Sequence, residues 1–369
     1  PTKIIILFKF KVRKLFYDFI SYYVKSIRRS DCMTFPSFTN LLLSRPLMPD
    51  FPQPYLMRDW TRVAQGYDSL VFDKNLTGQY LPLVFFRGTN VNYPGQSSFG
   101  LHTAIGTTYP DQSEGINVIP AVVGASLVGI DKTNQFGQNW ALMCEEYFNK
   151  RPEENIYLNH PVSSSGHDWW YETMPNVFFL QLNYFYPSLG DYDYQIETLA
   201  NQWLTATVSM GGSATPWKVP DLNYRAWKMS TMTPLETGVK EPEAAGAIAW
   251  ILYNAYTVTG ERKYLTGAEW NLEFLDAYPG NPSYELQLPY GVYTAARLNA
   301  ELGTEYNIEK MINWCFDRGE LRGWGAIVGQ WGDYDCSGLI GEANDGGNDY
   351  AFAMNGYEQA GALVPMVRY

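Results

Sequence analysis

From Glu114 onward the chain alternates between two kinds of helical stretch, and this alternation narrows the possible folds more than any other feature. One kind opens with a polar or aromatic turn and continues almost wholly apolar: 114–130, 168–186, 241–258, 284–300 and 349–368. The other carries its charge on one face: 135–149, 193–210, 261–276 and 306–317. A helix that is apolar all round is buried on every side, whereas one with a single apolar stripe covers a core from outside. The pattern therefore predicts an all-α chain, a double layer of helical hairpins with the apolar helices inside. A further helix is expected over 58–72, where Trp60, Val63, Ala64, Tyr67, Leu70 and Val71 share a face. Residues 74–111, rich in Gly, Asn, Ser and Thr, read as loop with one short strand at 83–86.

Pro120, Pro175, Pro242 and Pro289 stand near the starts of four inner helices, where proline is tolerated. Glu114, Asp168 with Glu172, Glu241 and Glu285 fall before or around them, so these acids are expected to gather at one end of the bundle. The intervals between the starts are too irregular for a solenoid of fixed period. A closed ring with long insertions at its mouth fits better. The insertions are 211–240 and 318–348, the second too glycine-rich to be helical, and loops of that length inside a compact domain are usually functional.

The formal net charge of −11 is unevenly spread. Residues 1–30 hold eight Lys or Arg and one Asp, which leaves −18 for the rest. An acidic body of this kind excludes nucleic acid as a partner. No uninterrupted apolar run reaches the roughly 18 residues of a membrane span, and charges interrupt any signal-peptide core in the basic N-terminal stretch. Residues 1–32 are read as a leader, tag or fragment edge outside the core, 33–56 as a connector punctuated by Pro36, Pro46, Pro49, Pro52 and Pro54, and 57–369 as the folded domain. Four Cys without C-x-x-C spacing and only three His give no signal of a zinc or redox site.

The stretch from Ser163 to Pro187 carries the most chemistry, because a polar turn with His167, Asp168, Trp169, Trp170 and Glu172 runs straight into an apolar helix. Carboxylates beside indoles suit a carbohydrate site: sugar rings stack on aromatic faces, and a glycosidic bond breaks with acid and base assistance. Equally, Asp168 fits a helix cap and the indoles fit a core. The chain's 16% aromatic content, with 28 Tyr and 12 Trp, exceeds what a core of this size requires and suits a glycan cleft. Asp333 to Ile340 fits the first eight positions of a calcium loop, with Asp333, Asp335 and Ser337 as ligands, but Asn344 stands where the closing Glu belongs.

These helices, together with the turn Asp111 to Gly115 and the helix start Tyr284 to Gly291, resemble the six-hairpin glycosidase superfamily, the (α/α)6 toroids. Ten helices are counted and the sequence stops within an inner one, so the resemblance implies a toroid incomplete at its C-terminus. It also implies a glycoside hydrolase, inverting, acting on a poly- or oligosaccharide, secreted or periplasmic, with no cofactor required beyond a calcium ion at the 333–337 loop. Asp168 is the first candidate for catalysis, with Glu114, Glu243 and Glu172 beside it. His167, Trp169, Trp170, Glu285, Gln287, Tyr290, Trp324, Trp331, Asp349 and Tyr350 are expected to line the substrate site. Two rivals stay open. A polysaccharide lyase would need Tyr171, Tyr290 or His167 as base and Arg225 or Arg322 to neutralise a uronate. A non-catalytic glycan-binding protein would keep the aromatics and tolerate loss of the carboxylates.

Overall fold

A computed structural model describes residues 59–102, 113–327, 329–331, 333–342 and 353–369; the expected leader and connector, Asp349 and Tyr350 lie outside them. The described residues are mostly helical, with ten α-helices and five two-stranded sheets. Among them no helix is long and apolar enough to cross a membrane. The inner helices are α2 (Gly115–Leu127), α4 (Trp169–Phe185), α6 (Ala244–Thr259), α8 (Leu288–Leu302) and α10 (Ala353–Leu363). Each packs on the next, α2 on α4, α4 on α6, α6 on α8 and α8 on α10. The outer helices α5 (Tyr192–Ser209), α7 (Arg262–Ala277) and α9 (Ile308–Phe316) lie against them, α5 and α7 on α6, α9 on α8. Helix α1 (Trp60–Phe72) packs on α2, and its Trp60 meets Tyr357 of α10 edge-on with ring centroids 6.1 Å apart.

Inner helices α6 and α8 approach each other closely. A Cβ on Gly246 would lie 2.8 Å from the Gln287 carbonyl oxygen, and one on Gly291 would lie 2.7 Å from the Gly246 Cα. Two glycines facing each other thus let the backbones nearly touch, which brings the starts of both helices to one place.

Three expectations are corrected. The stretch 135–149 is not one outer helix but a tight turn pairing Gln135 with Gln138, then the four-residue α3 (Trp140–Met143) and a 3-10 turn (Cys144–Tyr147). Buried side chains on every side of it, Trp140, Cys144, Glu145, Glu146 and Tyr147, leave no amphipathic stripe. The expected inner face of α1 is outward instead: Trp60, Val63, Tyr67 and Leu70 are exposed, Tyr67 to 59%. Asp68, Val71 and Phe72 turn inward because Asp68 is the partner of the buried Lys132, 2.8 Å away, whose ammonium also sits over the Phe72 ring. A buried ion pair must stay together, and that requirement outweighs the apolar stripe in setting the helix rotation. Finally, the 74–111 stretch holds a hairpin, β1 (Val84–Thr89) paired antiparallel with β2 (Ser97–Leu101). The insertion 211–240 likewise forms two hairpins, β3 (Ser213–Ala214) with β4 (Trp217–Lys218) and β5 (Ala226–Lys228) with β6 (Thr233–Leu235).

Replacing Gly291 by Ala should push α6 and α8 apart. We expect a loss of about 1–3 kcal/mol in urea unfolding, with the helical circular dichroism of the folded state retained.

Candidate active site

The starts of α2, α4, α6 and α8 meet at one end, where side chains take up their backbone amides and pair their acids. An α-helix leaves its first four N–H groups without intrahelical partners, and at a buried end these must be satisfied by the protein. For α2 this falls to Asn159, whose backbone oxygen accepts from Gly115 N and whose Oδ1 accepts from Ile116 N. Glu114 therefore does not cap its own helix. Its two oxygens accept from the side-chain amides of Asn117 (3.0 Å) and Asn159 (2.8 Å).

For α4, Asp168 is the cap, its Oδ1 accepting from Trp170 N at 2.9 Å. Glu172, only 2% exposed, reaches back to the preceding turn, and its Oε1 accepts from the amides of Gly166, His167 and Asp168 while Oε2 accepts from Trp227 N. Burial nevertheless pushes this carboxyl up to about 8 against those four amides. The turn is pinned from its other side as well. Gly166 has φ +95° and a Cβ there would lie 2.8 Å from that of Lys228, while Met229 N donates to Ser165 Oγ and Ser165 N to Glu154.

For α8 the acceptor comes from the start of α6. Glu243, 0% exposed, takes the amides of Glu285 (2.6 Å) and Leu288 (3.3 Å), and burial raises its carboxyl to about 7. Gln287 is also buried and accepts from the Thr173 hydroxyl of α4 at 2.8 Å.

Two arginines from the insertions lace the carboxylates together. Arg225 pairs with Asp168 and with the enclosed Glu241, and its Nη1 donates to the Tyr284 hydroxyl at 3.0 Å. Arg322 pairs with Glu285 and with Glu342 of β10 (Ile340–Glu342), which is paired with β7 (Trp324–Ala326). Both guanidiniums lie over the Tyr284 ring, at 5.4 and 4.9 Å from its centroid, and Arg322 lies over Trp324 too. Tyr171, 43% exposed, stands where these groups converge. Burial raises its phenol pKa, and the charges of Glu114, Asp168 and Glu285 raise it further, with Arg322 opposing. Beside it a pocket of about 230 Å³ is lined by Glu114, His160, Ser163, Ser164, His167 and Tyr171.

With this geometry in view, no family model, curated protein or solved structure matches the chain.

The structure brings Asp168, Glu114, Glu285, His167 and Trp170 to this mouth. It withdraws others into packing: Trp169 is fully buried with its indole N–H on the Tyr224 carbonyl, and Tyr290 is buried edge-on against Trp250. An indole or phenol wholly inside the core offers no face to a sugar. Glu243 is fully buried among the amides it accepts, whereas Glu172, though also bonded to amides and 2% exposed, borders the pocket beside Tyr171. Trp324 is buried beneath Arg322. The Trp331 and Asp335 side chains, like Asp349 and Tyr350, lie outside the described residues. The calcium pattern is drawn out as a hairpin, β8 (Gln330–Trp331) with β9 (Tyr334–Asp335), in which Ser337 Oγ accepts from Gly329 N and Asp333 is exposed. Among the described residues no three acidic, His or Cys side chains converge as for a metal.

Sequence reasoning missed Tyr284 and Glu358. Glu358 stands on the inner helix α10, half-buried, with Oε2 enclosed and without a hydrogen-bond partner. Its signal was available, since a carboxyl on an otherwise apolar inner helix must be paired, capped or used.

Glu172, Glu243 and Glu358 all have carboxyls raised above the ordinary 4.5, to about 8, 7 and 7. The folded chain keeps protons there that the unfolded chain releases, so this contribution to stability is full below about pH 4.5 and is lost as pH rises through 7 to 8. The melting temperature should therefore fall from pH 5 to pH 8, and Glu243→Gln should fall less over the same interval.

Proposed function

We propose that this chain is an inverting glycoside hydrolase acting on a poly- or oligosaccharide, built on an (α/α)6-type toroid. The carrying observation is that carboxylates from three inner-helix starts gather at one end of the bundle: Asp168 and Glu285 are held by two arginines that share the Tyr284 ring, and Glu114 lines a pocket with the exposed Tyr171. Glycosidic hydrolysis needs carboxyls facing each other across a cleft, and neighbouring helix starts can supply them where neighbours on one helix turn cannot. The toroid is supported by the succession of inner contacts from α2 to α10 and by the meeting of α1 with α10 at Trp60 and Tyr357.

In this reading Asp168 accepts the proton of the attacking water, with Arg225 fixing its position. Glu114, His167 and Tyr171 line the pocket that holds sugar hydroxyls. The lyase reading is less well supported for two reasons. Each arginine already pairs with two carboxylates, leaving no dedicated partner for a uronate. A phenol raised by burial and by three carboxylates is also a poor base, and the other tyrosine, Tyr290, is buried.

A glycan panel assayed for new reducing ends and for absorbance of unsaturated uronates separates the readings. Hydrolysis yields the first signal without the second, and proton NMR of the first-formed product should show the inverted anomer. Asp168→Asn preserves the cap on Trp170 N but removes the titrating group. It should lower kcat by about a hundredfold or more with little change in glycan affinity. Full activity in that variant would remove Asp168 from catalysis, and binding without cleavage by the wild type would favour a glycan-binding protein.

A further inference from the structure

We propose that the pocket beside Tyr171 is a subsite for an amino sugar, with Glu114 receiving the sugar's ammonium group. That the ligand is a sugar rests on the hydrolase reading, whereas its charge is read from the pocket alone.

Two carboxylates, Glu114 and Glu172, line this pocket, and no Lys or Arg does. Glu172 is occupied by backbone amides on both oxygens. Glu114 is half-buried, and its oxygens accept only from two neutral side-chain amides, Asn117 at 3.0 Å and Asn159 at 2.8 Å. Those amides fix its direction without neutralising it. Among the described residues Glu114 forms no ion pair, while the other acids of the mouth have their cations: Asp168 and Glu241 share Arg225, and Glu285 and Glu342 share Arg322. Arg151, from the loop before α4, donates to the Asn149 side chain and the Ser163 carbonyl and does not line the pocket. A carboxylate held in a cavity wall without a cation is destabilising, and a ligand that brings the cation relieves it.

The rest of the wall suits a donor. His160 Nδ1 lies 3.1 Å from the Ser113 carbonyl oxygen, which can only accept, so Nδ1 carries the proton and Nε2 of the neutral ring is an acceptor. An ammonium has three N–H donors and no acceptor, and it meets here a carboxylate, an imidazole nitrogen and the hydroxyls of Ser163, Ser164 and Tyr171. An N-acetyl group in its place would bring bulk and a carbonyl acceptor and no charge. At about 230 Å³ the pocket is smaller than the sites of drug-sized ligands and suits one sugar residue. Tyr171, 43% exposed, offers a face on which the C–H groups of the ring can stack. At longer range the net charge of −18 outside residues 1–30 attracts a cationic glycan.

The pocket does not specify a linkage, so the test uses single residues. Methyl glucosaminide, as both anomers, is titrated into the full chain by NMR at about pH 6, beside methyl N-acetylglucosaminide, methyl glucoside and ethanolamine. One glucosaminide anomer should bind at least about tenfold tighter than each of the other three compounds, and the preference should shrink as salt is raised. Glu114→Gln should abolish the preference. Because that change also touches the start of α2, a second variant leaves the bonds of Glu114 alone: Ser164→Lys, at an exposed position whose hydroxyl lies 3.5 Å from His167 Nε2. It should weaken the glucosaminide about tenfold and methyl glucoside less than about twofold. Equal affinity for glucosaminide and glucoside, tighter binding of the N-acetyl sugar, or ethanolamine binding as well as the glucosaminide would overturn the proposal, as would a preference that survives both variants. Selective binding by a chain that cleaves no glycan would sink the hydrolase reading and leave the subsite standing; cleavage of neutral glycans without amine selectivity would do the reverse.

Discussion

The mouth of this bundle depends on glutamates that take up helix-start amides from a buried position. Four N–H groups at the start of each inner helix need acceptors, and water is excluded from most of them. Glu243 supplies acceptors for the neighbouring helix instead of its own, which ties α6 to α8 in both position and angle. Glu172 does the same for the turn in front of α4 and for Trp227 of the insertion. The facing glycines Gly246 and Gly291 make this possible, because only backbones in near contact place a carboxylate of one helix start within reach of the next.

Once the starts are fixed, the two long insertions become part of the same unit. Each sends in one arginine, and each arginine joins two carboxylates that would otherwise repel. Arg225 joins Asp168 of α4 to Glu241 ahead of α6; Arg322 joins Glu285 ahead of α8 to Glu342 of β10. Half-buried ion pairs of this type contribute less to stability than their geometry suggests, since desolvation offsets much of the attraction. Their value lies in orientation, because a planar guanidinium that meets one carboxylate through each of two nitrogens fixes the direction between them.

Much of the helical layout was legible in the sequence because it rests on hydropathy, which is local. The boundaries of α4, α5, α6 and α7 fall within a few residues of those read from apolar runs. What was not legible depended on a single long-range partner. Nothing near Asp68 announces Lys132, so the rotation of α1 was misjudged. Nothing near Glu172 or Glu243 announces that their oxygens accept backbone amides, so this capping is not legible in the sequence. Trp169 shows the same limit in another form. Two adjacent tryptophans look equivalent in sequence, but on a helix they lie about 100° apart, and only Trp170 remains partly exposed.

An inner helix offers an acid only a few fates. It can accept amides, as Glu172 and Glu243 do, or pair with a half-buried cation, as Glu241 does. Otherwise it stays protonated, at a cost that packing must cover. The first two fates explain themselves through the contacts they make. The third does not, because replacing a lone buried carboxyl by a group of similar size without charge is close to neutral or stabilising. Glu358 follows the third course: its enclosed Oε2 has no hydrogen-bond partner, and burial with the charge of Glu285 raises its carboxyl to about 7.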